Sequence, residues 1–251
     1  MNDETGAGAG RTDLVKTRLI RIELPPGGFA LEGGKSLHEL DVAYETYGSL
    51  SPRRDNAVFI CHALSGDAHV AGRHDETDAS RGWWDEMVGP GKGIDTDHYY
   101  VVCANILGGC KGTTGPSSIN PATGKPYGAA FPGIAVGDIV NVHRLLLHHL
   151  GVEQLAAVVG GSFGGMQVLE WAARYPDMIT HAICIASATR LSTQALAFDI
   201  VGREAIITDP DWQGGDYYDS GRTPGRGLAQ ARKIGHITYL SQEMMEMKFG
   251  R

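Results

Sequence analysis

Hydrophobic and polar positions along the chain divide it into short apolar segments and helical segments. Residues 40–47 alternate Leu40, Val42 and Tyr44 with polar neighbours, which predicts a half-exposed antiparallel strand. Four later segments are continuously apolar and predict strands buried on both faces of a parallel sheet. The predicted strands are 16–24, 40–47, 57–61, 98–104, 155–159 and 181–187.

Helical spacing follows the fourth and fifth of these strands. Residues 138–150 place apolar side chains on one face, with Asp138 as the predicted N-cap and Gly151 as the predicted C-terminal glycine. Residues 164–174 predict a second helix, which Tyr175-Pro176 ends. This order of strands and helices predicts an α/β sandwich with a mixed or mostly parallel sheet.

The pattern changes after Thr189, because only helical spacing follows, at 192–207 and 228–247. A linker rich in glycine and proline, 209–227, separates these two helices. We therefore predict a disordered tail (1–15), an α/β core (16–189) and a helical segment (190–251).

Composition narrows the class of protein. Of the 251 residues 42% are hydrophobic, which is enough for a packed core, and the formal charge of −7 argues against binding nucleic acid or an anionic membrane. No apolar segment has the length of a membrane span, and no secretory signal is visible. A cytoplasmic location with free cysteines is the resulting prediction.

The strongest motif is Gly160-x-Ser162-x-Gly164, which lies between a predicted strand and a predicted helix. In a nucleophile elbow this spacing projects a serine hydroxyl above the sheet, and the next backbone N–H faces an oxyanion site. The loop 61–67, which follows another strand, offers Leu64 as a second N–H donor. The competing interpretations are a glycine-rich turn without chemistry and an ordinary turn leucine.

Other candidate motifs fail on spacing. Residues 108–115 have Lys followed by Gly where a phosphate-binding loop needs Lys followed by Ser or Thr, and Ser162 replaces the second glycine of a dinucleotide fingerprint. Ten histidines, among them His62, His69 and His74, show no metal-ligand spacing, so the sequence predicts no metal. The long glycine-rich stretch 106–133 is predicted to shape the mouth of the active site.

Several segments together carry a resemblance to a known family. They are Tyr44-Glu45-Thr46-Tyr47-Gly48, residues 62–67, residues 103–128, residues 160–167, and Gly227-Leu228-Ala229-Gln230-Ala231-Arg232 with Tyr239. With these segments the chain resembles the homoserine O-acetyltransferases of the α/β-hydrolase superfamily. The resemblance implies the α/β-hydrolase fold, with a mostly parallel sheet, helices on both faces and a helical lid.

The resemblance also implies an activity. Ser162 would take an acetyl group from acetyl-CoA, the co-substrate, and pass it to L-homoserine in a ping-pong reaction of methionine biosynthesis, without a cofactor. Leu64 and Phe163 would supply the oxyanion N–H groups, while Arg232, Tyr239 and Asp67 would bind the amino acid. Family members tend to form dimers through the lid, so a homodimer is expected.

The donor and the acceptor stay open at this stage. One alternative is a transferase that uses succinyl-CoA as the donor or serine as the acceptor. A second is an esterase, and a third is a non-catalytic fragment that acts only in binding or assembly.

One departure from the family concerns the catalytic base. A nucleophilic serine in this fold works with a histidine base and an acidic residue that orients the histidine. Along the chain the order is Ser, then acid, then His, and the last two lie on loops after later strands. After Ser162 the chain has only His181, in a predicted strand, and His236, in the helical segment. We therefore expect that the C-terminal strands with the acid and base are missing, that the lid is incomplete, and that these 251 residues alone transfer acyl groups slowly or not at all.

Overall fold

The computed structural model describes residues 13–250, so most of the predicted tail lies outside the described residues. The described chain forms two compact units. The first comprises 13–22, 41–106 and 136–187, and the second comprises 23–40, 107–135 and 188–250. Each unit therefore draws on separate stretches of sequence.

The first unit is built on a six-stranded sheet. In chain order its strands are β1 (Arg18–Arg21), β2 (Asp41–Tyr47), β3 (Ala57–Cys61), β4 (Tyr100–Ala104), β5 (Leu155–Gly161) and β6 (Ala182–Ile185). Their spatial order is β1-β2-β4-β3-β5-β6. β1–β2 and β2–β4 are antiparallel, and the other three pairs are parallel. The mostly parallel sheet is confirmed.

Two predicted exposures are wrong. β2 is mostly buried rather than half-exposed, because it pairs with a strand on each side. β6 is exposed along its length rather than buried on both faces, because it is the last strand of the sheet and pairs with β5 alone among the described residues. An apolar segment therefore predicts a strand here without fixing its position in the sheet.

The central strand β3 shows what covers the two faces of the sheet. Phe59 packs against His143 of helix α1 (Val136–His149) and Trp171 of helix α2 (Phe163–Arg174), with ring centroids 4.7 and 6.1 Å away. The alternate side chains of β3 point to the other face, where residues from the irregular segment 70–95 pack against them. This segment also contains a two-residue parallel strand pair, Val88–Gly89 with Ile94–Asp95.

The ends of the first two helices differ partly from the predictions. The predicted N-cap Asp138 is wrong: α1 begins at Val136, so Asp138 lies buried in its first turn. Gly151 is confirmed as the C-terminal glycine, since its φ is +71° and its N–H donates to the carbonyl of His148 at 3.0 Å. As predicted, α2 ends just before Tyr175-Pro176.

The second unit is mainly helical. It contains α3 (Thr193–Ile207), α4 (Gly225–Tyr239) and α5 (Gln242–Phe249). α3 packs on α4 where a side chain on Gly227 would lie 2.2 Å from the carbonyl oxygen of Ala205. The rest consists of short pieces: the strand pairs Phe29–Ala30 with Ser36–Leu37 and Ile119–Asn120 with Lys125–Pro126, and the 3₁₀ turns Gly128–Ala130, Pro210–Gly215 and Tyr218–Ser220.

The predicted single helix over 228–247 is wrong. Leu240 adopts an extended conformation after α4, and the Ser241 side chain accepts a hydrogen bond from the N–H of Met244. Ser241 is therefore the N-cap of a new helix, α5. Among residues 13–250, no helix has both the length and the apolar character of a membrane span.

Candidate functional site

Ser162 occupies a sharp turn between β5 and α2. Its backbone has φ 55° and ψ −121°, a conformation that side-chain-bearing residues rarely adopt. Its N–H donates to the carbonyl of Ile185 at 3.0 Å, and its carbonyl accepts a hydrogen bond from the Ser187 hydroxyl at 2.7 Å. The residue is exposed, and its hydroxyl has no hydrogen-bond partner within the described part of the chain. The turn therefore presents an unengaged hydroxyl at the carboxyl end of the sheet.

The flanking glycines are required by close backbone contacts. A side chain on Gly164 would lie 2.1 Å from the carbonyl oxygen of Cys61, and one on Gly160 would lie 2.5 Å from the carbonyl carbon of Gly164. Gly161, by contrast, has its nearest such contact at 3.8 Å. The motif glycines thus allow the start of α2 to lie directly against the end of β3.

The loop after β3 lies beside this turn. β3 and β5 are parallel neighbours, with Cys61 paired to Gly160, so the loops that follow them leave the same edge of the sheet. The Leu64 side chain is 72% exposed. The backbone N–H groups of Leu64 and Phe163 donate no hydrogen bond to any residue between 13 and 250. Two free backbone donors therefore lie at this edge of the sheet, one of them at a helix N-terminus.

Internal hydrogen bonds brace the loop and the turn. The His62 Nε2 accepts a hydrogen bond from the N–H of Ile106 at 3.2 Å, so its Nδ1 carries the proton that it donates to the carbonyl of Ala63 at 2.8 Å. Burial lowers the pKa of His62 below its ordinary value. The Gln167 amide donates to the carbonyls of His62 and Phe163 at 3.2 and 3.3 Å. With both ring nitrogens engaged, His62 has a structural role.

Asp67 closes the same loop. Its carboxylate accepts a hydrogen bond from the N–H of His69 at 3.0 Å, and its carbonyl accepts one from the indole of Trp83 at 2.8 Å. Asp67 is partly exposed. The sequence indicates Asp67 only through the family resemblance, since a lone loop aspartate has no specific spacing.

Arg232 and Tyr239 belong to the second unit. They lie two turns apart on α4, and both are exposed, Tyr239 by 82%. Arg232 makes no ion pair or hydrogen bond with the residues that the structure describes. Its guanidinium is therefore available to an anion.

No described histidine bonds to the Ser162 hydroxyl. His181 is engaged elsewhere, with its Nδ1 2.9 Å from the carbonyl oxygen of Ala156, and His236 lies in α4 of the second unit. The structure thus unites Ser162 with the loop that carries Leu64, and residues 13–250 show no proton acceptor in contact with the serine.

Sequence reasoning missed a polar cluster in the first unit. Glu45 on β2 contacts His69 and His74 of the segment that follows the loop. The two histidines are separated from Glu45 by 24 and 29 residues, so no local spacing could indicate the contact. They come together because the segment after the loop packs beside β2, where the N–H groups of Val70 and Ala71 donate to the Tyr47 hydroxyl.

Comparison with known proteins agrees with this geometry. Residues 56–245 match the sequence profile of the alpha/beta hydrolase fold family. A homoserine O-acetyltransferase of Methanococcoides burtonii is 56% identical over 95% of this chain and 48% of its own length. A homoserine O-succinyltransferase of Halothiobacillus neapolitanus is 55% identical over 95% of this chain and 58% of its own length.

Two solved structures have the same fold. The homoserine O-acetyltransferase from Bacillus anthracis has a TM-score of 0.87 at 33% identity, over 95% of this chain and 64% of that one. The esterase E22 has a TM-score of 0.86 at 35% identity, over 94% of this chain and 64% of that one.

The chain therefore spans about half to two thirds of the proteins that it matches. The resemblance to homoserine O-acetyltransferases is confirmed, and the profile covers most of the described core. The chain belongs to the α/β-hydrolase fold family.

Proposed function

We propose that the protein transfers an acyl group to the hydroxyl of L-homoserine through an acyl-Ser162 intermediate. The observation that carries this proposal is the Ser162 turn, with φ 55° and an unengaged hydroxyl, in a chain 56% identical to a homoserine O-acetyltransferase. Acetyl-CoA is the proposed donor and O-acetyl-L-homoserine the product, a reaction of methionine biosynthesis that needs no further cofactor.

The chemistry proceeds in two half-reactions. The Ser162 oxygen attacks the thioester carbonyl, the carbon–sulfur bond breaks, and CoA leaves as its thiol. The homoserine hydroxyl then attacks the acyl-serine ester, which restores the serine. In both steps the carbonyl oxygen becomes negative, and the free N–H groups of Leu64 and Phe163 are the proposed donors to it.

The serine also needs a group that accepts its proton. His62 is unsuited, since both of its ring nitrogens are engaged. Because no described residue is in contact with the Ser162 hydroxyl as a proton acceptor, we expect these residues alone to form the acyl-serine slowly. Loss of the base and its acid costs several orders of magnitude in such triads.

Three residues are proposed to hold the amino acid. A guanidinium forms two parallel hydrogen bonds to a carboxylate, so Arg232 suits the homoserine carboxylate. Asp67 offers a carboxylate to the ammonium group, and Tyr239 offers a hydroxyl. The proposal rests on the resemblance at these positions and on their exposure.

A homodimer in the cytoplasm is part of the same proposal. Helix α3 leaves Leu196, Phe198 and Val201 at least 40% exposed, and none of its residues is buried. A helix with apolar side chains in this state favours a partner surface. Light scattering that finds only monomer at working concentrations would remove this part of the proposal.

The experiment measures covalent acyl transfer to Ser162. The chain is incubated with acetyl-CoA or with succinyl-CoA, and the mass of the intact protein and the release of CoA are followed. We expect slow but measurable acetylation of wild type over hours, no labelling of Ser162→Ala, and wild-type labelling of Ser49→Ala, an exposed serine elsewhere in the first unit. Equal labelling of wild type and Ser162→Ala would refute the proposal.

Adding acceptors then separates the alternatives. Homoserine should discharge the acyl-enzyme faster than serine or water does. Preferred labelling by succinyl-CoA would assign a succinyltransferase, the activity named for the relative from Halothiobacillus neapolitanus. Discharge by water alone, at the rate seen with homoserine, would assign an esterase, as named for E22.

A further inference from the structure

Glu45, His69 and His74 form a compact three-residue group in the first unit, which we call the Glu45 cluster. The Glu45 Oε2 is 3.1 Å from His69 Nδ1, and its Oε1 is 2.7 Å from His74 Nε2. The two imidazole rings contact each other in a tilted arrangement, with centroids 3.9 Å apart and planes inclined by 35°. All three ligand atoms lie within 4.8 Å of one another.

The carboxylate is fixed before any ligand arrives. The Tyr47 hydroxyl donates to Oε2 at 2.6 Å and the Thr17 hydroxyl donates to Oε1 at 2.7 Å. Tyr47 is itself held by the N–H groups of Val70 and Ala71, at 2.9 and 3.2 Å. Partners that orient a ligand in this way are a regular part of protein metal sites.

Glu45 is surrounded by hydrogen-bonding groups on both of its carboxylate oxygens. Oε1 contacts Thr17 and His74, and Oε2 contacts Tyr47 and His69. The side chain is fully buried, and a buried carboxylate calls for a positively charged partner.

The histidines are held by their own backbone. The His69 N–H donates to the Asp67 carboxylate at 3.0 Å, and the His74 N–H donates to the Asp78 carboxylate at 3.0 Å. The His69 side chain is 17% exposed and that of His74 is 45% exposed. The cluster is therefore closed toward the sheet and open toward solvent on the side of His74.

We propose that Glu45, His69 and His74 bind a first-row divalent metal ion, with Zn²⁺ as the best match. Two imidazole nitrogens and one carboxylate oxygen are a donor set typical of zinc. Bonds of about 2.1 Å put tetrahedral ligand atoms about 3.4 Å apart. The 2.7 Å separation between Glu45 Oε1 and His74 Nε2 would lengthen toward this spacing when the metal binds, and a water would take the fourth position.

The metal would join β2 to the segment 69–74 and so stabilise the first unit. This inference goes beyond acyl transfer and does not depend on it. The competing account is that the carboxylate only accepts hydrogen bonds from the two histidines, with no affinity for metal.

Calorimetric titration with ZnCl₂ distinguishes these accounts. The protein is the 251-residue chain carrying Cys110→Ser and Cys184→Ser, because these two exposed thiols could bind zinc on their own. We expect one zinc per chain and an increase in Tm with added zinc. Loss of outer partners already weakens metal sites about 10–100-fold, so His74→Ala and His69→Ala should weaken binding about 100-fold or more.

Two further variants keep the test decisive. Glu45→Gln preserves the size of the buried side chain and should also abolish binding. His98→Ala is the matched control, since His98 is an exposed histidine with its ring nitrogen 3.8 Å from the carboxylate of Asp95. Absence of zinc binding by the parent chain, or binding that all the cluster variants retain, would overturn the proposal. Neither result depends on whether the chain transfers acyl groups.

Discussion

Strands β3 and β6 have nearly the same apolar character and opposite surroundings. β3 is buried at all five positions, between α1 and α2 on one face and the irregular segment on the other. β6 is exposed at all four positions, with Ile183 47% and Ile185 42% accessible. The difference lies in the neighbours, because β3 pairs with two strands and β6 with one among the described residues.

This contrast shows what each strand does for the site. β3 ends at the loop that carries Leu64. The carbonyl oxygen of its last residue, Cys61, lies directly against the glycines of the Ser162 turn. β6 and the residues that follow it support the same turn through two hydrogen bonds. The Ser162 N–H donates to the carbonyl of Ile185, and the Ser187 hydroxyl donates to the carbonyl of Ser162. We therefore expect substitutions on the β3 side of the turn to lower the free energy of unfolding more than substitutions on the β6 side.

The largest expected effect is on the free energy of unfolding. Ile60→Ala, at a fully buried position of β3, should cost about 2–5 kcal/mol, because it removes buried methyl groups and leaves a cavity. Ile185→Ala on β6 makes the same chemical change at an exposed position and should cost less than about 1 kcal/mol. Urea denaturation of both variants checks this, and equal losses would contradict the contrast.

The glycines of the turn give the second test. Gly164→Ala places a methyl group 2.1 Å from the Cys61 carbonyl oxygen of β3 and should cost about 3 kcal/mol, since backbone cannot move aside easily. Gly165→Ala places a methyl group 2.5 Å from the Cβ of Ser187 and should cost less, about 2 kcal/mol, because Ser187 follows the exposed strand β6 and its backbone can shift more easily than that of β3. Gly161→Ala, with its nearest contact at 3.8 Å, is the control. A larger loss for Gly165→Ala than for Gly164→Ala would reverse the expected order.

His143, which packs against Phe59 of β3, predicts that the free energy of unfolding depends on pH. Burial lowers the pKa of His143 from 6.5 to about 3, and neither ring nitrogen has a partner among the described residues. Below pH 6.5 the unfolded chain binds a proton that the folded chain excludes, so stability falls with pH down to about 3. Between pH 7 and pH 5 the loss should be about 2 kcal/mol.

His143→Leu should remove this contribution, which urea denaturation at several pH values would measure. His98→Leu, at an exposed position, should keep the slope of the wild type. An unchanged slope in His143→Leu would show that this histidine is protonated in the folded protein.

The smallest effect on stability is expected at the open strand. Ile185→Lys adds a charge to an accessible position and should change the free energy of unfolding by no more than about 0.5 kcal/mol. The same charge should reduce self-association, because lysine blocks pairing between strand edges. Dynamic light scattering at increasing protein concentration measures the self-association. Unchanged association would show that the protein does not associate through the edge of β6.

Much of this fold could be predicted from local pattern. Alternation and apolar segments located the six strands, and Gly151 and Pro176 marked real helix ends. Local pattern could not reveal that β6 would be exposed, since burial depends on neighbours. It also missed the break at Leu240, where apolar spacing continues across the N-cap of α5.

The candidate site divides in the same way. The Ser162 turn could be predicted from the sequence, because its serine and its glycines lie within five consecutive residues. The Glu45 cluster depends on residues 24 and 29 positions apart, which meet only when an irregular segment packs beside β2. The engagement of His62 is likewise invisible in sequence, since its partner is the distant backbone of Ile106.

The backbone of Ser162 has a consequence for how the chain can evolve. A side-chain-bearing residue in such a conformation costs about 1–3 kcal/mol, and glycine would remove that cost. Selection for stability alone would therefore favour glycine at this position, and selection for reactivity favours serine. The turn is a place where the two pressures oppose each other, so gains in stability elsewhere in the core are what make the serine tolerable.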